Sequence, residues 1–101
     1  MQTVSSTLLS SDYKAPGGKL VRVRLRESDG HIESIRISGD FFLLPEESLL
    51  KLEKMLEDVR LDERELKLLV DRFFRGTSAH SLGVSPDDFV KAILAAKTGV
   101  Q

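Results

Sequence analysis

The chain contains no cysteine, which excludes disulfides, thiolate metal sites and thiol nucleophiles. No apolar run approaches the roughly 20 residues that a membrane-spanning helix requires. Residues 1–11 lack a basic segment followed by an apolar core, the pattern of a secretory signal. A cytoplasmic protein with no membrane partner is the expectation. An excess of one charge is missing too. The 15 basic and 16 acidic residues give a formal net charge of −1, which argues against general affinity for nucleic acid. No long repeat and no low-complexity linker interrupts the 101 residues, a length that holds one domain. Residues 1–11 are read as a flexible segment that becomes extended near Leu8, and residues 12–98 as a single domain.

What is present begins with alternation. Val21, Val23 and Leu25 fall on one face of an extended segment, and Arg22, Arg24 and Arg26 on the other. Asp29-Gly30 supplies a tight turn. Ile35 and Ile37 then alternate with Ser34, Arg36 and Ser38, while Ile32 is out of phase, which predicts a bulge. Pro45, Glu46 and Glu47 suit the start of a helix running to about Asp58. Asp62 with Glu65 has capping-box spacing and opens a second helix that Gly76 stops. Residues 77–84 read as a loop, and Ser85-Pro86-Asp87-Asp88 starts a third helix. The expected fold is α+β: a small antiparallel sheet, made of a hairpin and an edge strand, with about three helices packed on one face. Charge is unevenly spread over it. Lys14, Lys19, Arg22, Arg24 and Arg26 stand between Tyr13 and Arg26 without one acid.

Signatures of catalysis are scarce. His31 and His80 lie far apart in sequence, each in an expected turn or loop, and read as surface residues. Ser78-Ala79-His80-Ser81 has no positioned acid or strand-to-helix elbow beside it. Walker, dinucleotide and calcium-loop patterns do not occur. No catalytic residue and no metal ligand is therefore assigned. Pro16-Gly17-Gly18-Lys19, preceded by Lys14, can meet a phosphate through glycine N–H groups and lysines, or can be an ordinary loop entering a strand. The arginine row is either a solvated sheet face or a docking face for an acidic partner. Asp40 beside Gly39 is expected to accept hydrogen bonds from backbone N–H groups in the next turn. Of Phe41 and Phe42, one belongs to the core and the other to an interface, because adjacent strand residues point to opposite faces.

The run Tyr13-Lys14-Ala15-Pro16-Gly17-Gly18-Lys19-Leu20-Val21-Arg22-Val23, followed by Ile35-Arg36-Ile37-Ser38-Gly39-Asp40-Phe41-Phe42 and Pro45-Glu46, resembles the accessory domain of lipoate–protein ligases. In many bacterial ligases this domain ends a single chain; in some archaea a similar domain is a separate small subunit. The resemblance implies a two-step reaction, activation of lipoate to lipoyl-AMP and transfer to a lysine of a lipoyl carrier domain. The accessory domain serves mainly the first step. ATP with magnesium, and lipoate, are implied to bind through the catalytic large subunit. Carried over by position, Lys14, Gly17, Gly18 and Lys19 are expected nearest the adenylate. Arg22, Arg24, Gly39, Asp40, Phe41 and Phe42 are expected at the partner interface. The family fold is similar to that of iron–sulfur scaffold proteins, whose activity needs the cysteine this chain lacks. The alternative is a non-catalytic interaction module with a basic docking face. Nucleic-acid binding ranks last, since Tyr13 is the only aromatic in the basic region.

Overall fold

The computed structural model describes residues 6–98. Three strands form one antiparallel sheet in the order β1-β2-β3: β1 Thr7–Lys14, β2 Leu20–Ser28 and β3 His31–Gly39. Ser28 and His31 face each other across Asp29-Gly30, whose φ values of 58° and 81° make the mirrored turn that matches strand twist. The register slips at Arg26/Glu27, leaving Glu33 as the extra residue; Ile32, Ile35 and Ile37 thereby all reach the buried face. That face also carries Leu9, Val21, Val23 and Leu25.

The expected boundary between a flexible 1–11 segment and the domain falls inside β1. The strand reaches back to Thr7, opposite Glu27, because Leu9 is buried beside Leu25 and draws this part of the chain into the sheet. Residues 1–5 of that segment lie outside the described residues.

The helices are α1 Ser48–Leu56, α2 Glu63–Gly76 and α3 Pro86–Ala96, all on the apolar side of the sheet. Each buries an apolar stripe: Leu52 and Leu56 from α1, Leu66, Val70 and Phe73 from α2, and Phe89, Ile93 and Ala96 from α3. The caps of α2 and α3 match the sequence. The Asp62 carboxylate accepts from Glu65 N at 3.2 Å, and Ser85 with Asp88 closes a reciprocal box. The first helix is shorter than its periodicity suggests. Pro45 is not its first residue, because a turn closed by Ser48 N to the Pro45 carbonyl at 2.9 Å must first lead the chain out of a strand.

That strand, β4 Phe42–Leu44, pairs with β5 His80–Leu82 in a separate two-stranded ribbon. It replaces part of the loop expected over 77–84. Elsewhere, the outer edge of β3 is covered at two places. Ile32 N donates to the Val59 carbonyl at 2.8 Å, and Ile37 N donates to the Glu53 carboxylate at 2.7 Å. Glu53 is buried for this reason: its charge meets an edge N–H that would otherwise lack a partner. No helix among the described residues is long and apolar enough to cross a membrane.

Candidate functional site

The glycine-rich loop and the Gly39-Asp40-Phe41-Phe42 run meet at one end of the sheet. Asp40 Oδ1 accepts from Leu20 N at 2.6 Å, and Asp40 N donates to the Leu20 carbonyl at 3.3 Å. The side chain thus takes the first N–H of β2 rather than one in the turn that follows it. Gly39 makes this approach possible. Its φ is +154°, and a Cβ there would overlap the Leu20 carbonyl oxygen and lie 2.9 Å from the Phe41 ring.

The Ala15–Lys19 loop is closed on itself. Ala15 N donates to the Lys19 carbonyl at 2.8 Å, and Gly18 N donates to the Ala15 carbonyl at 2.9 Å. Gly17 and Gly18 hold φ values of 96° and 95°, which explains the glycine pair as turn chemistry. One glycine N–H considered for a phosphate is therefore occupied within the loop. The groups left to meet an anion are the Gly17 N–H and the side chains of Lys14 and Lys19, both exposed. The Lys19 stem lies over Gly83, where a Cβ would come within 3.1 Å of Lys19 Cγ.

The two phenylalanines separate as alternation requires. Phe41 turns inward and meets Phe89 edge to face with ring centres 5.2 Å apart. Phe42 is 67% exposed, and its partner in the ribbon register, Leu82, is 50% exposed. Two large apolar side chains stand together on a wet surface at the end where Lys19 crosses Gly83. Sequence reasoning missed Leu82 and Gly83, since nothing in residues 77–84 announces a strand that pairs with residues 42–44.

Arg22 and Arg24 stand apart from this cluster, on the open face of the sheet. The Asp12 carboxylate accepts from Arg22 Nε at 3.0 Å and lies 3.5 Å from Arg24 Nη1. The hydrogen bond from Arg22 holds the Asp12 carboxyl below the usual aspartate range. A depressed folded-state value contributes stability above the unfolded pKa, and that contribution is lost as pH falls through the folded one. An NMR titration of the Asp12 carboxyl carbon is expected to show a midpoint below that of an unperturbed aspartate. Arg22→Gln should move it upward; an unchanged midpoint would assign the shift elsewhere.

The serine–histidine segment carries no nucleophile arrangement. Ser81 Oγ donates to the Val84 carbonyl at 2.7 Å, and His80 faces Leu44 across the ribbon. Among the described residues, no group of three or more His, Asp or Glu side chains is placed to hold a metal ion. A groove of about 480 Å³ between α2 and the start of α3 is lined by Lys67, Leu68, Val70, Asp71, Pro86 and Val90, none of them in the set expected from sequence. The predicted residues form an outward surface, not a pocket.

Comparison with known proteins identifies relatives over most of the chain. The family model described as bacterial lipoate protein ligase C-terminus matches residues 9–93. Lipoate-protein ligase A subunit 2 from Thermoplasma acidophilum is 37% identical over 86 residues, covering 85% of this chain and 87% of that protein. A solved chain from an archaeal lipoylation system, a bi-partite lipoate protein ligase and its E2 lipoyl domain from the same organism, has a TM-score of 0.68 at 30% identity. That match covers 92% of this chain and 97% of that one. Matched by that family model over residues 9–93 and by a relative 37% identical over most of its length, the chain belongs to the bacterial lipoate protein ligase C-terminus family.

Proposed function

We propose that this chain is the accessory subunit of an ATP-dependent lipoate–protein ligase, active only in complex with a catalytic large subunit. The relatives support this reading: one is a second ligase subunit, and the other comes from a bi-partite ligase. The observation that carries it is the convergence of the Lys14–Lys19 loop, the Gly39–Phe42 clamp and the exposed Phe42–Leu82 pair at one end of the molecule. That end offers an apolar anchor next to two cations, and no catalytic apparatus.

The large subunit docks on Phe42 and Leu82, and docking brings the loop to its adenylate site. Gly17 and Gly18 keep the loop free of bulk, and Asp40 fixes where it leaves for β2. Lys14 and Lys19 then stand near the α-phosphate of ATP, where the lipoate carboxylate attacks and pyrophosphate leaves to give lipoyl-AMP. Closure of this end over the adenylate excludes water from a mixed anhydride that would otherwise hydrolyse. ATP with magnesium, and lipoate, bind through the large subunit. The lipoyl group passes to a lysine of a lipoyl carrier domain. A cysteine-free chain suits work in the cytoplasm.

Reconstitution with the large subunit tests the reading. Omitting this chain should abolish lipoyl-AMP formation, and equal adenylation without it would end the proposal. Lys19→Ala should lower adenylation by roughly tenfold, the loss of one charge-assisted contact. Transfer from preformed lipoyl-AMP should change far less. Equal losses in both steps would remove Lys19 from the adenylate.

A further inference from the structure

The Asp29-Gly30 turn carries a covalent chemistry of its own. An aspartate followed by glycine can close a five-membered succinimide ring, because glycine has no side chain to crowd the attacking nitrogen. The chain contains no asparagine, and none of its other aspartates precedes a glycine. Asp29 is exposed at the tip of the hairpin. What sets the turn apart is how its backbone is held. The Glu27 carboxylate accepts from Gly30 N at 2.7 Å. The Gly30 carbonyl accepts from Leu61 N at 2.9 Å, and His31 Nδ1 lies 3.0 Å from the Asp29 carbonyl oxygen. Gly30 is thus clamped at both its polar groups, and the nitrogen that would attack is the one Glu27 holds.

We propose that Asp29-Gly30 is a site of isoaspartate formation, and that Glu27 is the residue that restrains it. In the first step Gly30 N bonds to Asp29 Cγ, and a carboxyl oxygen leaves as water, taking the amide hydrogen and the acid proton. Water then opens the ring. Opening at Cγ restores aspartate. Opening at the Asp29 carbonyl carbon runs the main chain through Cβ and Cγ and frees the α-carboxyl. One water is lost and one regained, so no other reactant is needed. The bond to Glu27 opposes the first step in two ways. It retains the hydrogen that must depart, and it sets a negative charge beside a nitrogen that gains electron density as the proton leaves. Isomerisation also carries a structural consequence. An extra methylene in a two-residue turn is incompatible with Ser28 facing His31, and it displaces the Gly30 carbonyl from Leu61. The turn lies at the far end of β2 from Leu20 and the glycine loop, so this chemistry is independent of the proposed ligase role.

The test incubates the purified full chain at neutral pH and physiological temperature. Isoaspartate is counted by enzymatic methylation of the freed α-carboxyl and located by fragmentation of the peptide spanning residues 27–36. Glu27→Ala should raise the rate about tenfold, toward that of a synthetic peptide of the same residues. Glu27→Gln should keep most of the protection, since its amide oxygen can accept the same hydrogen bond. Thr77→Ala controls for general loss of stability: it removes a cap at the other end of α2 from Leu61 and should leave the rate unchanged. Asp29→Ser should abolish the signal. No isoaspartate at residue 29, in either the native chain or Glu27→Ala, after the peptide has converted would overturn the site. A Glu27→Ala rate no higher than the native one, or one matched by Thr77→Ala, would overturn the role of Glu27.

Discussion

Gly39→Ala is expected to destabilise the domain by about 3 kcal/mol or more, the largest loss from any one-methyl change at its turns. Two costs add. A φ of +154° is a conformation that residues with a Cβ rarely adopt, and holding one there costs on the order of 1–3 kcal/mol. The added methyl also overlaps the Leu20 carbonyl oxygen and presses on the Phe41 ring. Relief requires the strand end to move. Movement would break the Asp40–Leu20 bonds and shift Phe41 off Phe89. Gly30→Ala is the matched control. Gly30 also has a positive φ, of +81°, but nothing lies within 4 Å of its missing Cβ, so only the conformational cost of about 1 kcal/mol applies. Urea unfolding should show a much lower midpoint for the Gly39 variant at an unchanged slope. A loss no greater than that of Gly30→Ala would show that the crowding at Leu20 is relieved without disturbing the clamp.

Phe42→Ser is expected to leave the fold nearly intact and to weaken the complex with the large subunit about thirtyfold or more. The ring is 67% exposed in the chain described here, so its removal costs the free domain little. In a docked complex the same ring would be a central aromatic anchor beside Leu82, and truncating such an anchor commonly costs about 2 kcal/mol or more. Calorimetric titration of the large subunit with each variant measures the affinity, and urea unfolding measures the fold. Phe41→Ser should behave in the opposite manner, unfolding easily because its ring packs on Phe89, itself buried against the helices. An unchanged affinity for a folded Phe42→Ser variant would remove the ribbon from the interface.

The contrast between those two phenylalanines shows what was legible in the sequence and what was not. Alternation from Leu20 to Ser38 and the Asp29-Gly30 turn specified the hairpin, its bulge and its arginine face, because a period of two and a turn are local properties. The caps at Asp62 and Ser85 were legible for the same reason. That one phenylalanine must face out was also readable. Which one was not, since it depends on β4 pairing with a segment 36 residues further along, from Leu44 to His80. A three-residue strand has no period to read, so the sequence of β5 reads as loop. Pro45, Glu46 and Glu47 satisfy the local rules for a helix start, but the ribbon before them forces a turn and the first helix begins at Ser48. At the site, the meeting of the glycine loop with Gly39 and Asp40 rests on Asp40 reaching Leu20, a contact across two strands. The contact of Lys19 with Gly83 joins segments with no sequence relation at all.

The two edges of the sheet differ in a way that governs self-association. The outer edge of β3 is closed at Ile32 by the Asp58–Val59 backbone and at Ile37 by the Glu53 carboxylate. On the other side, no backbone hydrogen bond among the described residues covers the outer edge of β1. Open-ended stacking of this sheet needs a free edge on each side of it, so that every addition presents a fresh one. With β3 covered, copies that join through the three-stranded sheet meet β1 to β1, about a two-fold axis. That arrangement consumes both β1 edges and stops, so the expected end point of association through this sheet is a closed pair.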